Sequence, residues 1–143
     1  MPTGHEACAR IFEQWHQRAA SRDTAGLLAL YADDAVFESP LVPAILDDHP
    51  DGVLRGRDQI GRFLAEGARR RPDELVRWYR TGAYLTDGKT LTWEYPRATP
   101  DGEQIDLAEV MEIADGLIQH HRVYWGWKGA LYLAPALSRR LAR

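Results

Sequence analysis

The sequence predicts an α+β fold, with three N-terminal helices packed on a curved antiparallel sheet. Two observations carry this. Helically spaced apolar residues occupy the first half of the chain, and from Glu74 onward they give way to short alternating stretches. Those stretches are punctuated by Asp-Gly turn signals, TDGK at 86–89, PDGE at 100–103 and ADGL at 114–117.

The elements follow in order. Residues 5–20 place Cys8, Ile11, Phe12, Trp15 and Ala19 on one apolar stripe, the mark of an amphipathic helix. Asp23 is placed to cap a second helix, TAGLLALYA, which ends near Asp33. Val36 to Ser39 form a short strand that runs into Pro40. The segment LVPAILDDHPDGVLRG at 41–56, rich in Pro, Asp and Gly, reads as a long connection and a candidate lid. A third helix carries Ile60, Phe63, Leu64 and Ala68 on one face, and Pro72 bars its continuation. Four antiparallel strands come next. The tail from Lys128 carries Leu131, Leu133 and Leu137, and Pro135 interrupts it, which predicts a short helix over a cavity mouth or a partner.

A length of 143 residues suits one domain, 1–143, with a core of its own. With 45% apolar and 27% charged residues the composition is that of a soluble globular chain. The net charge of −3 argues against nucleic acid as a partner, since such a protein carries a basic face. Arg69, Arg70 and Arg71 close a helix, where cations suit the negative end of the helix dipole. Cys8, the single cysteine, lies on the apolar stripe and reads as a packed thiol. No apolar run approaches the ~18 residues of a membrane span, and MPTGHEACAR lacks the apolar segment of a signal peptide. A cytoplasmic protein without membrane association is the expectation. The histidines are not spaced to chelate one ion, so no metal and no cofactor are expected.

Two-residue turns at Asp87-Gly88 and Asp101-Gly102 would set Arg80 opposite Tyr95, Trp93 opposite Val110 and Arg97 opposite Asp106. Strand alternation then places Glu94, Leu107, Glu109 and Met111 on one face, with Glu94 directly opposite Glu109. Two carboxylates so close would repel, and one would hold a proton near neutral pH. Trp78, Trp93, Tyr95 and Tyr124 make the other face aromatic, the expected interface of a homodimer. In the last strand, LIQHHRVYWGW, His121, Val123 and Trp125 point one way while His120, Arg122 and Tyr124 point the other.

LYADDAVFESP, GRDQIGRFL and VMEIADGLIQHHRVYWG together resemble the superfamily of ketosteroid isomerase, SnoaL-like polyketide cyclases and nuclear transport factor 2, over residues 8 to 128. The resemblance implies a cone-shaped α+β barrel, a deep apolar pocket between helices and sheet, and a dimer. In the isomerase an aspartate base ends the first strand, and Ser39 stands at that position here. Trp15 stands where the isomerase has a tyrosine donor, and Glu109, two residues before Met111, matches its protonated aspartate. Val123 stands where the cyclases and limonene epoxide hydrolase keep an acid. A serine cannot take a proton from carbon without a stronger base beside it.

The acid/base candidates are therefore Glu109, His121 and Glu94. Trp15, Tyr31, Phe37, Ser39, Leu107, Met111, Val123 and Trp125 are the candidate pocket residues. The favoured function is a cofactor-independent isomerase, cyclase, dehydratase or hydrolase acting on a small, mostly apolar molecule. A non-catalytic binding protein and a dimeric interaction module are the alternatives.

Overall fold

A computed structural model describes residues 2–70, 83–98 and 104–142, with the backbone alone at 95–98 and 104–105. Helix α1, Gly4–Ala20, opens with Thr3, whose hydroxyl accepts from the Glu6 N–H while the Glu6 carboxylate accepts from Thr3 N–H. Its stripe of Cys8, Ile11, Phe12 and Trp15 is buried, as the periodicity requires. The second helix, α2, is only Thr24–Leu28, capped by Asp23. Tyr31, assigned to this helix from sequence, instead begins strand β1, Tyr31–Glu38. The short helix fails to continue because Tyr31 pairs with Ile118, and Ile118 donates to the Leu30 carbonyl at 2.8 Å.

The segment 41–56 is not a free lid. It contains α3, Leu41–Ile45, and β2, Val53–Arg55, which pairs with β1, and Ser39 N–H donates to the Gly52 carbonyl at 3.1 Å. Helix α4, Gly56–Arg70, follows and buries Ile60 and Phe63. Strands β3 (Leu85–Thr86), β4 (Thr90–Ala98), β5 (Gln104–Ala114) and β6 (Leu117–Trp125) complete the sheet. Helix α5, Trp127–Leu141, runs through Pro135 without a break. Its packing on α3, β5 and β6 outweighs the one missing backbone donor, and Arg140 fastens its end by donating to the Pro43 carbonyl and pairing with Asp47. It does not cover the pocket described below.

The six described strands lie in the order β2-β1-β6-β5-β4-β3 as one open sheet. The sheet is mixed, since β1 runs parallel to β6 while every other pair is antiparallel. A cone-shaped closure does not appear among these strands. ADGL is the two-residue turn predicted, with Asp115 at φ 53 and Gly116 at φ 73.

The register of β4 against β5 differs from the sequence reading by one residue. Trp93 lies opposite Glu109, Thr92 opposite Val110, Pro96 opposite Asp106 and Arg97 opposite Ile105. Residues 99–103 separate the paired Ala98 and Gln104, an odd number where a two-residue turn leaves an even one. Such a slip exchanges the faces of one strand relative to the other. Trp93 therefore turns inward and is 4% exposed, while Glu94 turns outward opposite Ala108. The turn at Asp87-Gly88 also departs from two residues: Leu85 lies opposite Thr92 and Thr86 opposite Leu91, which leaves four residues, 87–90, between the paired positions. Arg80 and Trp78 themselves lie outside the described residues.

Candidate active site

The site begins with the hairpin of β5 and β6, whose register shifts by one residue at a bulge between Glu112 and Ile113. Met111 lies opposite His121 and Glu109 opposite Val123, so Glu109 and His121 are diagonal neighbours on the inner face. His121 Nε2 and Glu109 Oε2 are 2.5 Å apart, with the two side chains 1% and 3% exposed. On the other side of the ring, the Tyr31 hydroxyl meets His121 Nδ1 at 2.8 Å. Tyr31 reaches this point because β1 lies beside β6, and the Arg57 guanidinium fixes its backbone by donating to the Tyr31 carbonyl from Nε at 2.9 Å.

Burial pushes the Tyr31 phenol well above its ordinary value, aided by the negative charge of Glu109 and opposed by the Trp15 indole. The phenol therefore stays protonated. With the ring neutral, Tyr31 O–H donates to Nδ1 and Nε2–H donates to the Glu109 carboxylate. In this arrangement each of the three side chains has a hydrogen-bond partner.

Aromatic packing holds the imidazole in place. Phe37 stands edge-on to His121 at 4.8 Å between centroids, Trp15 lies at 6.2 Å, and Phe37 meets Phe63 of α4 at 4.9 Å. His16, on the next turn of α1, donates from Nδ1 to the Phe12 carbonyl at 2.8 Å, and burial lowers its pKa.

A cavity of about 110 Å³ opens onto Glu109 and His121. Trp15, Phe37, Ser39, Leu107, Val123 and Trp125 line it. Tyr31 and Met111 do not line it; both are fully buried, Tyr31 behind the imidazole. Ser39 Oγ accepts from the Leu41 N–H at 3.1 Å, which leaves the hydroxyl proton for a ligand oxygen. The Trp125 indole N–H is buried and has no hydrogen-bond partner among the described residues. Glu94 is exposed on the opposite face of the sheet, bordering a cleft with Tyr84, Thr92 and Ala108, so the pair with Glu109 does not form.

Sequence reasoning missed Arg22 and Thr24 at the cavity mouth, and Phe63, Leu64, Gly67 and Ala68 of α4 on its wall. The apolar face of α4 was visible in the sequence, but its apposition to β1 was not. Nothing local marked Arg22. Among the described residues no cluster of three or more His, Cys, Asp or Glu side chains is placed to hold a metal ion, and no helix is long and apolar enough to cross a membrane.

The layout of helices, open sheet and inward-facing cavity is that of the nuclear transport factor 2-like fold. The chain belongs to the SnoaL-like domain family, which matches residues 12–121. Comparison with curated protein sequences gives no significant match. Among solved structures it is similar to a SnoaL-like protein of unknown function from Burkholderia thailandensis, with 20% identity and a TM-score of 0.66, covering 84% of this chain and 94% of that one. It is also similar to a steroid delta-isomerase from Pseudomonas aeruginosa, at 22% identity and a TM-score of 0.59, covering 95% and 92% of the two chains. A third similar structure is a nuclear transport factor 2-like protein of unknown function from Burkholderia xenovorans, at 18% identity and a TM-score of 0.65, covering 85% and 84%. These likenesses establish the fold.

Proposed function

We propose that the protein is a cofactor-independent enzyme that moves a proton on a small, mostly apolar molecule held against Glu109. The observation that carries this reading is the buried chain Tyr31–His121–Glu109 at the floor of an apolar cavity. Glu109 takes the proton from substrate carbon as its C–H bond breaks. The proton rests on Glu109, which keeps its hydrogen bond from His121 Nε2–H, and Tyr31 O–H, donating to Nδ1, holds that tautomer. The electron pair released on carbon needs an acceptor, which an adjacent carbonyl supplies, its oxygen stabilised by the Ser39 hydroxyl or the Trp125 N–H. Return of the proton to a second carbon completes an isomerisation. Its transfer to a departing β-hydroxyl, which leaves as water, gives dehydration; attack of the enolate carbon on a second carbonyl, with the proton passing to the new alkoxide, gives cyclisation.

Glu109→Gln tests the assignment, because the amide oxygen can still accept from Nε2–H while the base is gone. In a screen of enolisable ketones, monitored by deuterium exchange at carbon, the variant should lose at least ~100-fold in rate and keep ligand affinity within a few-fold. An unchanged exchange rate, or a loss of affinity alone, would leave a binding protein in place of an enzyme.

The same reading includes a homodimer through the outer sheet face, where Tyr124 is 56% exposed and His120 lies between the Glu38 and Glu112 carboxylates. Light scattering at micromolar concentration should give twice the chain mass; a monomer would remove this part.

A further inference from the structure

We propose that the site continues between β1 and β6 into a second cavity, and that its substrate is a ketone or ester with a long, neutral apolar chain. The proposal rests on the proton-transfer reading of the site and adds the substrate class. Its first support is where the β1–β6 ladder ends. The last pair of that ladder is Glu38 with Arg122. One residue further, Ser39 N–H donates to the Gly52 carbonyl at 3.1 Å, on the β2 side, and the Ser39 carbonyl accepts from Val42 N–H at 3.1 Å. Both main-chain groups of Ser39 are thus used away from β6. Pro40, which follows, has no N–H to give, and the chain turns into α3. The two strands therefore part at Ser39 and Val123.

The second support is that two cavities meet at this point. The inner cavity over Glu109 and a second one of about 310 Å³ have Ser39 and Val123 in common. The second lies on the side of the sheet to which Arg122 and Tyr124 point, between Pro43 of α3 and Leu137 of α5. The inner cavity, about 110 Å³, is smaller than the roughly 300–1,000 Å³ of ordinary small-molecule sites, and the two together fall inside that range. The inner one has room for a reacting group, and the outer one has room for the rest of the molecule.

The chemistry of the outer cavity decides what that rest is. Pro40, Pro43 and Pro50 form part of its wall, and their fixed φ holds the wall in shape before a ligand arrives. Its charged residues are already matched, Glu38 with His120, Arg122 with Glu112 at 2.8 Å and Asp51 with Arg55 at 3.7 Å. An ionic group entering here would give up hydration and meet only counter-charges that are already paired. A neutral chain packed on Pro43, Val53 and Leu137 buries apolar surface at no such cost. The carbonyl end then meets Glu109, and the chain leaves between Ser39 and Val123.

The test titrates a series of methyl ketones, from pentan-2-one to undecan-2-one, against intrinsic tryptophan fluorescence. In the wild type each added methylene should tighten binding about threefold, and the gain should persist to the long members. Leu137→Trp fills the outer cavity. It should weaken undecan-2-one by about tenfold or more and leave both the binding of pentan-2-one and deuterium exchange at its carbon unchanged. Pro50→Trp, in an exposed turn, narrows the same cavity from the other side and should act alike even if Leu137→Trp fails to fold. A gain that stops within the first members of the series, equal losses for short and long ketones in the variants, long ketones untouched by them, or binding of no ketone would overturn the proposal. Failure of Glu109→Gln to slow proton exchange would remove the enzyme reading and leave the dependence on chain length standing, so the two ideas fail separately.

Discussion

Replacing His121 with leucine should cost the fold about 3–5 kcal/mol, the usual result of removing one partner from a buried ionic pair. Glu109 would be left 3% exposed and without its imidazole donor, and the Tyr31 hydroxyl would lose its acceptor. Urea denaturation at pH 7 measures the loss. The double variant His121→Leu/Glu109→Leu removes the carboxylate as well, and it should be more stable than His121→Leu alone. A loss below about 1 kcal/mol would mean that water reaches Glu109, since hydrated charges of this kind contribute little. A site open to water in that way would be a poor place to hold a proton between two states.

The turn at ADGL was legible in the sequence, but the facing of the last strand was not. ADGL fixes only the pairs next to it, Ala114 with Leu117 and Ile113 with Ile118; a bulge between Ile113 and Glu112 then moves the register by one residue, and that bulge puts His121 instead of His120 on the face of Glu109. The β4–β5 connection carried an equally strong turn signal, yet Ala98 and Gln104 pair around residues 99–103, and one residue of slip sent Glu94 outward and Trp93 inward. Tyr31 was misplaced for another reason. TAGLLALYA has helical spacing, and only the pairing of Tyr31 with Ile118, 87 positions away by subtraction of their numbers, overrides it. Arg22 joins the site through a helix end and a neighbouring helix, contacts that have no periodic trace.

Phe37→Ala should be comparably costly, about 3–5 kcal/mol by the usual range for deleting a buried aromatic ring. Phe37 is 4% exposed and joins three parts of the structure. It belongs to β1, packs on Phe63 of α4 at 4.9 Å and stands against the His121 ring at 4.8 Å. Its loss would enlarge the cavity on the side where α4 meets the sheet, and free the imidazole to swing away from Glu109. Phe37→Leu retains most of the volume and should cost much less, under about 1.5 kcal/mol if the neighbours repack. Comparing the two separates packing from the site. If Phe37→Leu is stable but the His121 ring signals broaden in NMR spectra, the edge-on contact is what holds the imidazole in line. If those signals stay sharp, the hydrogen bonds to Tyr31 and Glu109 suffice, and Phe37 acts only as a wall. An equal loss in both variants would mean that α4 cannot adjust at all, so the cavity shape is set by rigid packing and not by the ligand that enters it.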